Sequence, residues 1–352
     1  MKKYYQLYIE LKNKILTGDF RSGEKLPSKR VMADQCGHSL ITVQRAYAML
    51  EDEGYILAKE RKGYFVCAID AGAHPLSEQN KINYLPQAHE KSGQDFEYSV
   101  WFKTVRKVIS EKGEELFVKA PNKGCAVLRN AIADYLHRYR GMLAQPECII
   151  IGSGAEQLYE SVAQILGRDH IFGIEDPSYV QIRSVYSALG AQVCPLKMGA
   201  DGIETEALQQ NTFDVLHVTP FHSYPSGITT SITKRYEYLK WSQQHCGYII
   251  EDDFDSEFYA YPIESLYALD RTEHVIYINT FSKSLSPSMR IGYMILPRQL
   301  LQAYERVLGH FSCSVPVMDQ HILAEFIANG SFERHLNRTR KKLKNFKKTL
   351  DK

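Results

Sequence analysis

Between residues 148 and 296, short apolar runs alternate with segments of helical periodicity. The runs are Cys148–Ile151, Ile171–Ile174, Val193–Leu196, Val215–Val218, Tyr248–Ile250, Val275–Ile278 and Ile291–Leu296. Each reads as a buried strand, and the segments between most of them, such as Ala155–Leu166 and Tyr236–His245, read as amphipathic helices. This alternation predicts an α/β domain, a mostly parallel sheet with helices on both faces. In such a sheet ligands gather at the carboxyl ends of the strands.

Several of those ends carry candidate chemistry. After the first run, Gly152-Ser153-Gly154-Ala155-Glu156 leads into a helix. Glycines there let backbone N–H groups approach a phosphate, and the helix dipole favours it, although tight turns often have the same composition. Glu175-Asp-Pro-Ser-Tyr179 can lay the Tyr179 ring over a flat cofactor, or the tyrosine is simply core or interface. His222, in the Pro/Gly turn Thr219–Gly227, either faces a cofactor or is hydrogen-bonded within its turn. Glu251-Asp252-Asp253-Phe254-Asp255 crowds acids at another end. One carboxylate beneath a pyridine ring keeps the ring nitrogen protonated; without a cofactor such a cluster suggests a cation site. Asp252 is the candidate ring partner. Finally, Lys283 lies at the mouth of the sheet between Thr280, Ser282 and, seven residues on, Arg290. A lysine so placed suits a Schiff base with an aldehyde cofactor, the hydroxyls and guanidinium holding its phosphate. Taken alone, Ser-Lys-Ser is better read as a surface lysine in a polar loop.

At 352 residues the chain reads as two folded units. No apolar run reaches membrane-spanning length, and Met1-Lys-Lys-Tyr-Tyr5 is no signal-peptide core. Seven scattered cysteines without a C-x-x-C pair fit a reducing, cytoplasmic location, and no histidine spacing suggests a metal. The net charge of +2 is unevenly spread. Residues 1–70 carry 12 Lys/Arg against 9 Asp/Glu, residues 333–352 carry 9 against 2, and the stretch between carries 22 against 30. Contact with a polyanion is therefore expected at one end rather than along the acidic middle.

The first seventy residues carry three helical patterns and a hairpin. Leu7, Ile9, Leu11, Ile15 and Leu16 recur at helical spacing; Ser28 caps Lys29–Gln35, which stops at Gly37; Ser39 begins Ile41–Glu53. Tyr55–Ala58 and Tyr64–Cys67 make the hairpin. This order predicts a winged helix-turn-helix, whose second motif helix enters the major groove. Ser39, Thr42, Gln44 and Arg45 then face base edges, and Arg30 and Lys62 meet phosphates, with Ser28 and the wing's Gly63 completing the DNA-facing set. Residues 69–84, with Gly72 and Pro75, read as a linker between domains at 1–68 and 85–352.

Two stretches carry a family resemblance. Gly23-Glu-Lys-Leu-Pro-Ser-Lys-Arg30 with Thr42–Ile56 and Gly63-Tyr-Phe-Val66 looks like the GntR-type DNA-binding domain. Asn279–Tyr293 resembles the pyridoxal-phosphate lysine motif of fold-type I aminotransferases, T-F-S-K-x-L-x-P-x-x-R-x-G-Y. Joined in this order, over residues 5–340, they resemble the MocR subfamily of GntR regulators. The resemblance implies that Lys283 forms an internal aldimine with pyridoxal 5'-phosphate and that Asp252 pairs with its pyridine nitrogen. It places Tyr179 on the ring and Ser153, Gly154, Ala155, Thr280, Ser282 and Arg290 around the phosphate. The chain departs from the pattern at Phe254, where relatives have a tyrosine, and at Tyr224, where aminotransferases usually have an asparagine. It also ends at Lys352, where relatives continue into a small domain bearing a carboxylate-binding arginine. The expectation is a transcription regulator, acting as a homodimer on an operator with two half-sites. An amine or amino acid would be sensed through an external aldimine, with transaminase turnover weak or absent. The alternatives are an active aminotransferase with an appended winged helix, and a DNA-binding protein whose larger domain only dimerises.

Overall fold

The computed structural model describes residues 3–59, 62–67, 96, 98–258 and 264–350. The expected linker, 69–84, lies outside them. By contact pattern the chain divides into two units: Met1–Ile82 with Ala200–Gly202 and Thr230–Tyr238, and the remainder.

In the first unit α1 (Lys3–Leu16) packs on α3 (Leu40–Asp52), with α2 (Lys29–Cys36) between them in the chain. The buried Leu7, Tyr8 and Leu11 of α1 recur every three to four residues, which is why that face turns inward. Ser28 caps α2 by accepting the Val31 N–H at 3.3 Å. Gly37 ends α2 in the left-handed region at φ 62°, a conformation that favours glycine. Ser39 caps α3 by accepting the Thr42 N–H at 3.2 Å. Helix α3 runs one residue earlier at each end than its apolar spacing suggested, because Glu53 forms its C-cap. Strands β1 (Ile56–Lys59) and β2 (Gly63–Val66) pair antiparallel, Ile56 opposite Val66.

The second unit begins with α4 (Tyr98–Lys112) and α5 (Ala126–Arg140). Strands and helices then alternate: β3 (Ile149–Gly152), α6 (Ala155–Leu166), β4 (Ile171–Asp176), α7 (Val180–Ala188), β5 (Gln192–Lys197), α8 (Thr205–Gln210), β6 (Val215–Val218), α9 (Ile232–His245, of which the part up to Tyr238 falls in the first unit), β7 (Tyr248–Asp253), α10 (Leu266–Leu269), β8 (Val275–Thr280), α11 (Phe281–Ser284) and β9 (Gly292–Ile295). Three helices follow, α12 (Leu301–Leu308), α13 (Val317–Ala328) and α14 (Ser331–Leu350).

The seven strands β3 to β9 form one sheet in the order β3-β9-β8-β7-β6-β4-β5. All neighbours run parallel except β9, which is antiparallel to both β3 and β8. Successive side chains alternate faces. Ile149, Ile151, Tyr277, Tyr293 and Ile295 join one core with Leu128 of α5 and Phe326 of α13. Ile150, Ile276, Ile278 and Met294 join another with Val162 of α6 and Tyr186 of α7. Strands buried on both faces read as unbroken apolar runs, the pattern that marks them in the sequence.

Register decides what meets at the sheet's edge. Gly152 stands opposite Gly292, which stands opposite Thr280. Because β9 is reversed, its start lies at the same edge as the ends of β3 and β8. The Ser153 turn, Arg290 and Lys283 are thereby brought to one place. Gly292 fits because a Cβ there would come within 3.0 Å of the Asn279 carbonyl oxygen.

Behind that edge lies a buried polar network. Arg140 donates to Asp253 at 2.9 Å and to Ser256, while the Tyr277 hydroxyl donates to Asp253 at 2.6 Å. Asn279 donates to Glu257 at 2.8 Å. Burial, reinforced by the neighbouring Asp253 carboxylate, pushes the Glu257 carboxyl from about 4.5 up to about 7. Below about pH 4.5 both folded and unfolded chains keep this proton, and the full stability is present. Between about 4.5 and 7 only the unfolded chain releases it, so stability falls as pH rises and the loss is complete above about 7. The Glu257→Gln variant lacks that titration. It is expected to gain on the order of 2 kcal/mol over the parent in going from pH 5 to pH 8 in urea unfolding. A constant difference between the two proteins over that range contradicts this role for Glu257.

Candidate cofactor and DNA-binding sites

At the end of β3, Gly154 is the N-cap of α6 at φ 111°. A Cβ on it would lie 2.6 Å from Arg290 Nη2, so only glycine admits the guanidinium here. Arg290 in turn donates to Glu156 Oε2 at 2.7 Å. A carboxylate thus sits on the arginine beside a helix N-terminus, an arrangement of donors that suits any tetrahedral oxyanion. The Ser153 N–H is held by Gln157 Oε1 at 3.2 Å. Ser282 Oγ donates to the Met289 carbonyl at 3.4 Å, tying the lysine segment back to the Arg290 loop. Thr280 is buried at the N-cap of α11, and Ala155 opens α6.

Lys283, on the short helix α11, points its Nζ at Asp255 Oδ2, 3.1 Å away, and lies 4.5 Å from the centre of the Phe254 ring. His222 Nδ1 is 3.2 Å from the same Asp255 oxygen. Asp252 accepts the Tyr159 hydroxyl, and His217, itself hydrogen-bonded to Tyr186 at 2.7 Å, stands 3.9 Å from the same Oδ2. Asp252 Oδ1 and Asp255 Oδ1 are buried without a hydrogen-bond partner. An orphaned buried carboxylate oxygen is costly unless a donor reaches it, so both are open to a bound group.

Tyr179, the N-cap of α7, is 39% exposed and meets Tyr224 edge-on at 6.0 Å. Partial burial pushes its hydroxyl up; Glu156 adds to the effect, Arg290 opposes it and Asp252 adds again. Glu156, Arg290 and Asp252 thus all act on the Tyr179 hydroxyl through their charge. The turn beside them is anchored by Glu175, which accepts Thr219 Oγ1 at 2.5 Å and Ser223 Oγ at 2.6 Å.

The structure thus brings Ser153, Gly154, Arg290, Thr280, Ser282 and Lys283 to one edge, with Asp252, His222 and Tyr179 on adjoining strand ends. Sequence reasoning missed Asp255, Tyr159, His217 and Glu175. Asp255 was visible within its acidic cluster, but nothing local marked it as the lysine's partner. The donors fit pyridoxal phosphate: guanidinium and helix N-terminus for phosphate, an orphaned carboxylate for the ring nitrogen, a lysine for the aldehyde.

In the first unit, Ser39 and Thr42 hydrogen-bond each other at 2.9 Å in the α3 cap. Arg45, exposed, lies 5.7 Å over the Tyr4 ring; Gln44, Arg30 and Lys62 are exposed, and Gly63 opens β2 at φ 104°.

Residues 3–66 match the bacterial regulatory proteins of the gntR family, and residues 91–352 match aminotransferase class I and II. The chain is 36% identical to the HTH-type transcriptional regulator YdeL of Bacillus subtilis, covering 96% of this chain and 76% of the relative. It is 30% identical to the probable rhizopine catabolism regulatory protein MocR of Rhizobium meliloti, covering 96% and 74%. The solved structure of LysN, an α-aminoadipate aminotransferase from Thermus thermophilus complexed with N-(5'-phosphopyridoxyl)-L-leucine, superposes with a TM-score of 0.62 at 25% identity. That match covers 71% of this chain and 65% of that one, so the chain spans a little under two thirds of the aminotransferase's length. The described residues include no helix long and apolar enough to cross a membrane. A DNA-binding head of one family joined to an aminotransferase fold, over nearly the whole chain, places it plainly: it belongs to the MocR-type transcription regulators of the GntR family.

Proposed function

We propose that this regulator holds pyridoxal 5'-phosphate at Lys283 and changes its hold on DNA when an amine or amino acid takes the lysine's place. We further propose that it acts as a homodimer on two half-sites. The observation that carries the reading is the Lys283–Asp255 ion pair at 3.1 Å, beside the arginine-lined turn of Gly154. When bound, the cofactor supplies an electrophilic carbon that exchanges between amines. Asp255 would give the released lysine ammonium a defined resting place at Oδ2, the same oxygen that His222 Nδ1 approaches at 3.2 Å. Asp252, oriented by Tyr159, would pair with the ring nitrogen, and Arg290 would hold the phosphate. Lys283 would then have a second position besides the one on Asp255, and an effector would bias the choice between them through its differential affinity for the two states.

The test is DNA affinity, read by fluorescence anisotropy on a duplex selected by the protein from a random pool, across a panel of amines and amino acids. At least one is expected to shift it roughly 5- to 150-fold in the parent and not at all in Lys283→Ala. A panel without effect, or an effect that survives Lys283→Ala, contradicts the sensing role.

Glu156 makes a second expectation. Its carboxylate occupies Arg290 and must yield to a phosphate. Glu156→Gln is expected to tighten pyridoxal phosphate binding roughly two- to fivefold, the scale of an exposed ion pair, leaving pyridoxal unaffected. Absorbance titration with both compounds decides it: equal changes for the two place the effect outside the phosphate cradle.

A further inference from the structure

The first unit presents an apolar side chain where its sequence suggested only polar ones. Ile41, in the first turn of α3, is 65% exposed, the most exposed large apolar side chain among the described residues of that unit. Leu40 beside it is 45% exposed. The opposite face of α3 is buried through Val43, Ala46, Tyr47 and Leu50. At 100° per residue, the outward face therefore carries Ile41, Gln44 and Arg45. The two hydroxyls expected beside Ile41, on Ser39 and Thr42, hydrogen-bond each other in the cap. What the start of this helix offers outward is thus a branched hydrocarbon, with Gln44 and Arg45 one turn further on.

The first residues of such a helix meet base edges in the major groove. The segment is positive, 12 Lys/Arg against 9 Asp/Glu over residues 1–70, which suits a polyanion. Only one base edge in that groove presents hydrocarbon, the C5 methyl of thymine. From this we infer that Ile41 is a specificity residue that packs on a thymine methyl in each half-site, and that Leu40 shields that contact from water. The inference rests on the DNA-binding reading and is independent of the cofactor.

The full-length protein is used to select duplexes from a random pool. Each thymine of the selected half-site is then replaced by uracil, which keeps the pairing and removes only the methyl. In the parent, one thymine per half-site is expected to be uracil-sensitive, at about fourfold in affinity for one methyl removed from water. In Ile41→Ala the thymine and uracil duplexes bind equally, while the helical circular dichroism and melting temperature match the parent. Ile41→Val, which keeps a branched side chain, retains part of the sensitivity. Three results overturn the inference: no uracil-sensitive thymine, sensitivity undiminished in Ile41→Ala, or equal weakening of both duplexes by that substitution. Failure of the parent to select any sequence overturns the DNA-binding reading itself, and the inference with it.

Discussion

Arg140→Met lowers the stability of the sheet domain by roughly 3–5 kcal/mol, a fall in melting temperature on the order of 10 °C. The cause is what remains. Asp253 is fully buried in the second unit and accepts from Arg140, Ser256 and Tyr277. Burial already pushes its carboxyl up, against the pull of the guanidinium. Removing the arginine leaves a buried acid without its counter-charge, whereas a neutral pair would cost much less. The double variant Arg140→Met with Asp253→Asn is therefore expected to recover most of the loss, since the amide carbonyl still accepts from the Tyr277 hydroxyl. Thermal unfolding of the three proteins makes the comparison. A single variant within about 1 kcal/mol of the parent, or a double variant no better than the single, contradicts the network's role in holding β7 in place.

Asp252→Ala is expected to weaken pyridoxal phosphate binding by about 2–5 kcal/mol, the usual consequence of truncating one side of a buried charge pair. The same substitution strips the Tyr159 hydroxyl of its acceptor, so lost affinity could reflect a disturbed α6. Asp252→Asn separates the two effects. Its carbonyl still accepts from Tyr159, but it carries no charge for a protonated ring nitrogen. The Asn variant should melt near the parent and still bind the cofactor weakly by absorbance titration. Cofactor affinity equal to the parent's would remove Asp252 from the ring nitrogen.

Most of the seven strands were legible because burial on both faces writes them as apolar runs, the half-exposed edge strand β5 being the exception; Val215–Val218 falls where its run predicts, and the others shift at one or both ends. Helix α6 coincides with its amphipathic segment, and α9 begins a turn earlier than its pattern, at Ile232. Strand order was not legible. Nothing in Ile291–Leu296 says that this strand runs antiparallel, because pairing direction is set by how the chain returns to the sheet rather than by composition.

The candidate site divides the same way. Lys283, Arg290, Gly154 and Asp252 sit in local motifs whose chemistry is readable from neighbouring residues. Tyr159 reaches Asp252 across 93 positions, Arg140 reaches Asp253 across 113, and Thr219 reaches Glu175 across 44. Partners so distant in the chain are chosen by strand register, which a single sequence does not print. Ser39 and Thr42 carry a second demand: their hydroxyls hydrogen-bond each other, and Ser39 accepts the Thr42 N–H as the cap of α3, one of the N–H groups a helix start leaves unpaired.

Everything proposed for sensing passes through one amine. The most direct test is to incubate the full chain with pyridoxal 5'-phosphate, reduce it with borohydride and map the modified peptide by mass spectrometry. The predicted result is a pyridoxyl group on Lys283, lost in Lys283→Ala while the Arg290→Ala variant acquires it only at higher cofactor concentration. A pyridoxyl group spread over surface lysines, or an unmodified Lys283 in the reduced parent, would contradict it.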